Sequence, residues 1–506
     1  MIRRRAVLAA AALAAAPARA QITTLDLRPT PLPVRPDDWI APGLRREVLI
    51  RWGDRVLPDA PEWTPREPNP QAAGAQFGWD ARIAGLVEPP PAADGVPRLV
   101  LAVVHPTVDP AMAWPGVRDR PAVAAAMQGA SILNLEKTGE RWVIVDGGFQ
   151  SRRLDADTLC RWQGPAATAP AVQGILAPQG GCATPWGSLL LSEGDPTVWL
   201  DRLRGLDPRW TEAAGYGWAV EFDPLDPGSV PVKRSALGRI GAVATLALQA
   251  SEGRAVVLMA DGRPGGFLYR FVSAKPASEP DALDDGRLSV ARLGGETLRW
   301  EALPAGAATD PASAAQALGA SRLDAPFGLA RDPRSARVLL ACRGDARVAG
   351  QVLDLQGDPA AAQWESRVLF VAGEVAQGGR YGRDQPPGAL PRNPATVAVD
   401  ARGRAWIGTD QGGQVGQQAD AVFACDLDGP GRGVVLPAYA APRAAAIGGA
   451  VPTPGAETVL AMVRHPGAAP GASYANPATR WPAFDAALPP RTTLVALSRG
   501  GAPVGG

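Results

Sequence analysis

Three times in its second half the chain repeats one local plan: an apolar run, a tight turn, and a second apolar run. Gly328-Leu329-Ala330-Arg331-Asp332-Pro333 leads into Val338-Leu339-Leu340-Ala341. Thr396-Val397-Ala398-Val399-Asp400-Ala401 leads through Arg402-Gly403-Arg404 into Ala405-Trp406-Ile407-Gly408-Thr409-Asp410. Ala450-Val451-Pro452-Thr453-Pro454 leads into Thr458-Val459-Leu460-Ala461-Met462-Val463. Runs this short, bounded by Asp, Gly and Pro, are strands joined by turns. A recurrence of about 50 to 70 residues suits propeller blades with insertions, each of which buries its apolar face only by stacking on its neighbours. The expected fold is all-β, with a β-propeller ahead of a sandwich.

The remainder of the chain fits that expectation. Gly 58 and Pro 52 exceed a fifth of the 506 residues and punctuate short runs instead of forming one tract. Residues 99–104 and 141–145 read as strands, residues 218–224 alternate as a half-buried strand should, and residues 256–261 with 267–272 read as a hairpin. Only residues 122–128 and 311–318 read as helices, both short and Ala-rich. Residues 28–70 are Pro-rich and irregular, and are expected to wrap a surface. The expected organisation is an export signal over 1–20, an irregular N-terminal wrap with the first strands over 21–97, and a propeller over 98–506 that forms one domain with that wrap.

At the N-terminus, Met1-Ile2-Arg3-Arg4-Arg5 is basic, residues 6–16 are apolar, and Ala18-Arg19-Ala20 is a small-x-small cleavage site. Arg4-Arg5-Ala6-Val7-Leu8, followed by a weakly hydrophobic Ala-rich run, fits the twin-arginine pattern. A periplasmic or secreted location is expected. No other stretch reaches the roughly 18 apolar residues of a membrane span, so none is expected after signal removal. A monomer is expected.

Composition removes several function classes. With 51 basic and 50 acidic residues, the chain lacks the electrostatic footprint of a nucleic-acid binder. Its four cysteines have no C-x-x-C spacing, which excludes a zinc knuckle and leaves a Cys160–Cys182 bridge open. Its two histidines, His105 and His465, exclude H-E-x-x-H zinc chemistry. There is no G-x-S-x-G elbow, and neither Gly378-Gly379 nor Gly412-Gly413 runs into a phosphate-binding G-K-[ST].

One family accounts for the motifs that remain. Gly181-Cys182-Ala183-Thr184-Pro185-Trp186-Gly187-Ser188 through Ser192-Glu193-Gly194 resembles the T-P-W-G-T-x-L-x-C-E-E signature of the PhoX-type alkaline phosphatases. Arg51-Trp52-Gly53-Asp54, Gly217-Trp218-Ala219-Val220-Glu221-Phe222-Asp223-Pro224, Leu237-Gly238-Arg239 and Ala405 to Asp410 are similar to R-W-G-D, G-W-V-V-E-V-D-P, L-G-R and L-W-I-x-T-D, in the same order. Phe77-Gly78-Trp79-Asp80 falls where the family has F-G-x-N-x-D, with Arg82 at the last acidic position, and His465-Pro466-Gly467 resembles Q-H-P-G. The resemblance implies a six-bladed propeller whose channel holds an iron and calcium cluster that cleaves phosphate esters. Such a cluster needs convergent carboxylates for the hard cations and a thiolate for the softer iron.

Several of the family's ligand positions differ here. Cys-Glu-Glu is Ser192-Glu193-Gly194, so iron is not expected. The family's N-H-E is Val104-His105-Pro106, its H-E is Ala242-Val243, and its D-R-P-E is Asp324-Ala325-Pro326-Phe327. Glu193, Asp261, Asp324 and Asp410 survive as candidate metal ligands, enough for one calcium, and each can equally serve its own turn. Arg239 and His465 are the candidate ligand-binding residues; Arg239 can instead brace two blades and His465 sit satisfied at a blade edge. The leading expectation is an exported PhoX-like propeller, non-catalytic or weakly active, that binds a small or anionic ligand, phosphate-containing compounds included. The alternatives are a calcium-dependent phosphoesterase of PhoX type and a gluconolactonase-like calcium hydrolase, since residues 396–410 also resemble those propellers.

Overall fold

The computed structural model describes residues 23–412 and 417–506; the export signal read over 1–20 lies outside them. Six strands line a central axis. They are β1 (Arg82–Val87), β2 (Pro178–Ala183), β3 (Ala244–Gln249), β4 (Pro326–Arg331), β5 (Pro394–Val399) and β6 (Ala446–Pro452). Each packs against the next, and β6 packs against β1, so the series closes on itself as a propeller. The expected all-β propeller is what the chain forms. Each of the three repeats noted in the sequence is one inner strand followed by its antiparallel partner, in β4, β5 and β6.

Every inner strand pairs antiparallel with the strand that follows it: Arg98–His105, Leu189–Glu193, Arg254–Ala260, Arg337–Cys342, Arg404–Thr409 and Thr458–Arg464. The start of each inner strand and the end of its partner therefore meet at one end of the channel. Five of the inner strands carry a register irregularity near that start, between Ile83 and Gly85, Pro178 and Gly180, Pro326 and Gly328, Pro394 and Thr396, and Ile447 and Ala450. Such bulges bend a strand and redirect its side chains. Glycine lets the inner strands approach closely: a Cβ on Gly328 would meet the Ala395 carbonyl at 2.6 Å, and one on Gly180 the Val243 carbonyl at 2.5 Å.

The last sheet joins the two ends of the chain. Strand Arg45–Arg51 pairs with Thr493–Ser498, which pairs in turn with Thr458–Arg464. The Pro-rich wrap is thus more ordered than its composition suggests, because sheet edges elsewhere in the chain supply its hydrogen-bond partners. Trp39–Ile40 likewise extends the sheet of Val435–Ala440.

A tryptophan-rich cap grows from the connections of the first two sheets. Short helices Pro70–Ala75, Pro110–Ala113, Pro121–Met127 and Thr197–Leu203 bury Trp79, Trp114, Trp199 and Trp210 among themselves. Proline opens three of these helices, where a missing N–H costs nothing, and Asn69 and Asp109 cap two of them by accepting backbone N–H bonds. Pro311–Ala317 is the second helix expected from the sequence. All four cysteines are buried and free, so the Cys160–Cys182 bridge left open by the sequence is not formed.

Candidate functional site

The second strands all end at the same face, and one polar residue ends or directly follows each of them: His105, Glu193, Asp261, Arg343, Asp410 and Arg464. Asp80 and Arg82 arrive beside them at the start of β1. The channel below has a volume of about 590 Å³, and a side cavity of about 460 Å³ shares Gln179, Val243 and Phe327 with it.

Arg464 organises the mouth. Its Nε and Nη2 donate to the two oxygens of Asp80, both at 2.9 Å, and its Nη1 donates to Asp410 Oδ2 at 2.7 Å. Asp80 also accepts from Thr107 Oγ1 and from the Ala81 N–H, and Asp410 accepts from the Gly412 N–H. Burial alone would raise the Asp410 carboxyl, but Arg464, Arg82 and Arg343 together bring it down to about 2. Asp80 is buried too, and Arg464 holds it below the ordinary carboxylate range. Behind this pair Asp420 accepts from Thr409 Oγ1 and the Gln411 N–H. Burial, then repulsion from Asp410, pushes its carboxyl up to about 7.

Arg82 is the exception to this pairing. Its side chain is 9% exposed, it lines the channel, and among the described residues its guanidinium has no hydrogen-bond acceptor and no ion-pair partner. Burial and neighbouring Arg464 lower it to about 9, so it stays cationic at neutral pH. It rests on the Phe327 ring at 4.8 Å from the centroid, and Arg343 rests on the same ring at 4.5 Å. Arg343 reaches Asp410 only at 3.9 Å. Arg82 and Arg343 thus retain unused N–H groups at the mouth, and a guanidinium fork suits oxyanions.

The residues singled out in the sequence fall in separate places. Glu193 is fully buried and its oxygens accept from the Leu176, Gly217 and Trp218 N–H groups and from Lys233 Nζ at 2.8 Å. Asp261 is held by Arg263, through Nε at 2.8 Å and Nη2 at 2.6 Å. Asp324 is exposed, in a short strand paired with Pro264. Asp410 belongs to the arginine cluster. Arg239 donates to the Tyr216 and Ala213 carbonyls, which fixes a loop. His465 stacks on Trp79 at 6.0 Å, and burial then Arg464 lower its pKa. Asp410 and His465 meet at the Arg464 cluster; Glu193, Asp261 and Asp324 do not join them. His105 is a core group, bridging the Asp80 carbonyl and Ser131 Oγ at 2.7 Å each.

Among the described residues no three His, Cys, Asp or Glu side chains converge as one metal ion requires. A multinuclear centre needs several free oxygen ligands facing one point. Here Lys233, Arg263 and Arg464 occupy those of Glu193, Asp261 and the Asp80–Asp410 pair. Ser192, at the thiolate position of the resemblance, is hydrogen-bonded to Thr245. The residues present do not fit such a centre.

Comparison with known proteins agrees with this fold. No curated protein matches the chain. Among solved structures, PhoX from Pseudomonas fluorescens, in complex with vanadate, a transition state analogue, superposes with a TM-score of 0.85 at 23% identity, covering 96% of this chain and 100% of that one. A gluconolactonase from Xanthomonas campestris gives a TM-score of 0.32 at 10% identity over 83% of this chain and 94% of that one. A protein of unknown function from Dyadobacter fermentans gives 0.38 at 10% over 90% and 99%. The family described as Alkaline phosphatase PhoX matches residues 27–467, and the chain belongs to that family.

Proposed function

We propose that this chain is an exported propeller that binds a small oxyanion, phosphate or a phosphate ester, at its channel mouth, with little or no hydrolysis. The observation that carries the reading is Arg82, a buried guanidinium without an acceptor. Asp410 and Asp80 attract its charge through space, but its N–H groups have no acceptor, and buried donors left unpaired are costly, so they mark the place of an anionic partner. Phe327 holds the planes of Arg82 and Arg343 side by side. Arg464, Arg82 and Arg343 together outnumber Asp80 and Asp410 by one charge, so the mouth does not repel an anion. Hydrolysis requires a group that activates water beside the bound anion. The carboxylates closest to the mouth are already committed to Arg464 and Arg263.

Export is supported by the sequence of residues 1–20. No helix among the described residues is long and apolar enough to cross a membrane.

The deciding experiment is calorimetric titration of the mature chain with phosphate and with vanadate, alongside elemental analysis and an ester-hydrolysis assay. Binding without bound iron, and with hydrolysis near background, is the expected result. Failure to bind either anion would overturn the reading. The extent of the family match, residues 27–467, favours a second reading, a calcium-dependent phosphatase of PhoX type. Several calcium ions per chain with chelator-sensitive turnover would establish it instead. A single calcium with lactone hydrolysis would point to the gluconolactonase-like alternative.

A further inference from the structure

The channel below Arg82 has mainly apolar walls, interrupted by Gln179, Thr245 and Thr396. Each inner strand contributes a half-buried aliphatic side chain to it: Ile83, Ala183, Leu246, Leu329, Val397 and Val451. Charged lining residues occur only at the two ends, Arg82 at the start of β1 and Arg331 at the end of β4, and no carboxylate lines the channel. Inner strands of about six residues span roughly 20 Å. The lining therefore joins a buried cation to a largely aliphatic tube. Inorganic phosphate fills the first part and leaves the second wet.

We infer that the ligand is a single-chain amphiphilic anion, its oxyanion head at Arg82 and Arg343 and its hydrocarbon chain lying along the channel. This rests on the oxyanion reading above and adds the tail. The charge pattern favours it over a second ionic ligand, because an acidic or basic group carried down the tube would meet no counter-charge before Arg331. Apolar contact with the six strands replaces water along the chain, a gain of about fourfold in affinity per fully buried methylene.

The test is a calorimetric series on the mature protein with inorganic, butyl, octyl and decyl phosphate, each below its micellar concentration, and octyl glucoside as the neutral-headed control. Kd is expected to fall at least about tenfold from butyl to octyl phosphate, and octyl glucoside to bind far more weakly than octyl phosphate. If Kd is independent of chain length while inorganic phosphate binds, the tail inference is overturned and the anion reading stands. If no phosphate binds, both fall. If octyl glucoside matches octyl phosphate, the head is not at the arginines and the inference fails. Val397→Trp fills the tube and should abolish the chain-length gain; a gain that persists in the folded variant would place the chain elsewhere.

Discussion

The Arg82 guanidinium lies 4.8 Å from the centre of the Phe327 ring, whose other neighbour is Arg343 at 4.5 Å. The contact is attractive, because the face of an aromatic ring draws a cation. It holds Arg82 in place without using its N–H groups, and so leaves a positive group with free donors facing the axis.

Arg82→Gln should separate binding from stability. Losing one charged donor to a bound oxyanion costs about 1.5–3 kcal/mol, which raises the phosphate Kd on the order of 10- to 100-fold. The unliganded variant should melt at a higher temperature than the parent, because burial disfavours the charged guanidinium more than Asp410 and Asp80 favour it. Calorimetry and thermal melts check both; a lower melting temperature would mean that Arg82 is held by the fold and not reserved for a ligand.

Lys233→Met should be among the most damaging single changes. It leaves Glu193 buried without its counter-charge, at a cost of about 3–5 kcal/mol in urea unfolding. Adding Glu193→Gln should recover a large part of that loss. Additive losses in the double variant would show that the two groups are not coupled.

Asp420 contributes stability that is lost as pH rises from about 4 to about 7. Its carboxyl keeps its proton to about 7 in the folded chain, against an ordinary value of 3.8. In that interval the folded state binds the extra proton, so raising the pH weakens folding. Asp420→Asn should remove this slope, so that its advantage in melting temperature grows between pH 5 and pH 8. Parallel curves for the two proteins would contradict the assignment. Asp410 acts in the opposite direction, with stability lost as pH falls below 4 toward about 2.

Calcium and chelator should leave the melting temperature of the parent protein unchanged, since Arg464, Arg82, Arg343 and Arg263 already balance Asp80, Asp410 and Asp261. In Arg464→Met, Asp80 and Asp410 lose their cation, and calcium should then raise the melting temperature. A calcium effect on the parent would count against the charge pairing as the resting arrangement.

The thiols offer a simple check of the core. Burial pushes Cys160, Cys182 and Cys342 up to about 12 and raises Cys425 as well. An aromatic disulfide reagent should find no reactive thiol in the native protein and four after denaturation.

The blade strands were legible because hydrophobic runs and turn residues are local signals. Their pairing across the chain was not: nothing near Arg45–Arg51 indicates that its partner is Thr493–Ser498. The candidate site was legible in part. Asp80 and Arg82 stood inside a recognised motif, and Asp410 ended a recognised strand. Arg343 and Arg464 were missed, although each occupies the place at or just past a second strand that Glu193, Asp261 and Asp410 occupy in other strand pairs. That place was the available signal. Lys233, one of three lysines among 51 basic residues, was visible only as an oddity of composition, and only the fold shows that it reaches Glu193.

The sheet that joins strand Arg45–Arg51 to Thr493–Ser498 also holds Thr458–Arg464, and so it carries Arg464 to the mouth. One side chain thus joins distant parts of the ring: Arg464 lies 384 residues from Asp80 and 54 from Asp410 in sequence, and it holds both. If the last sheet swung away, Asp80 and Asp410 would be left to share Arg82 and Arg343, and the entrance would lose its excess positive charge together with its closure.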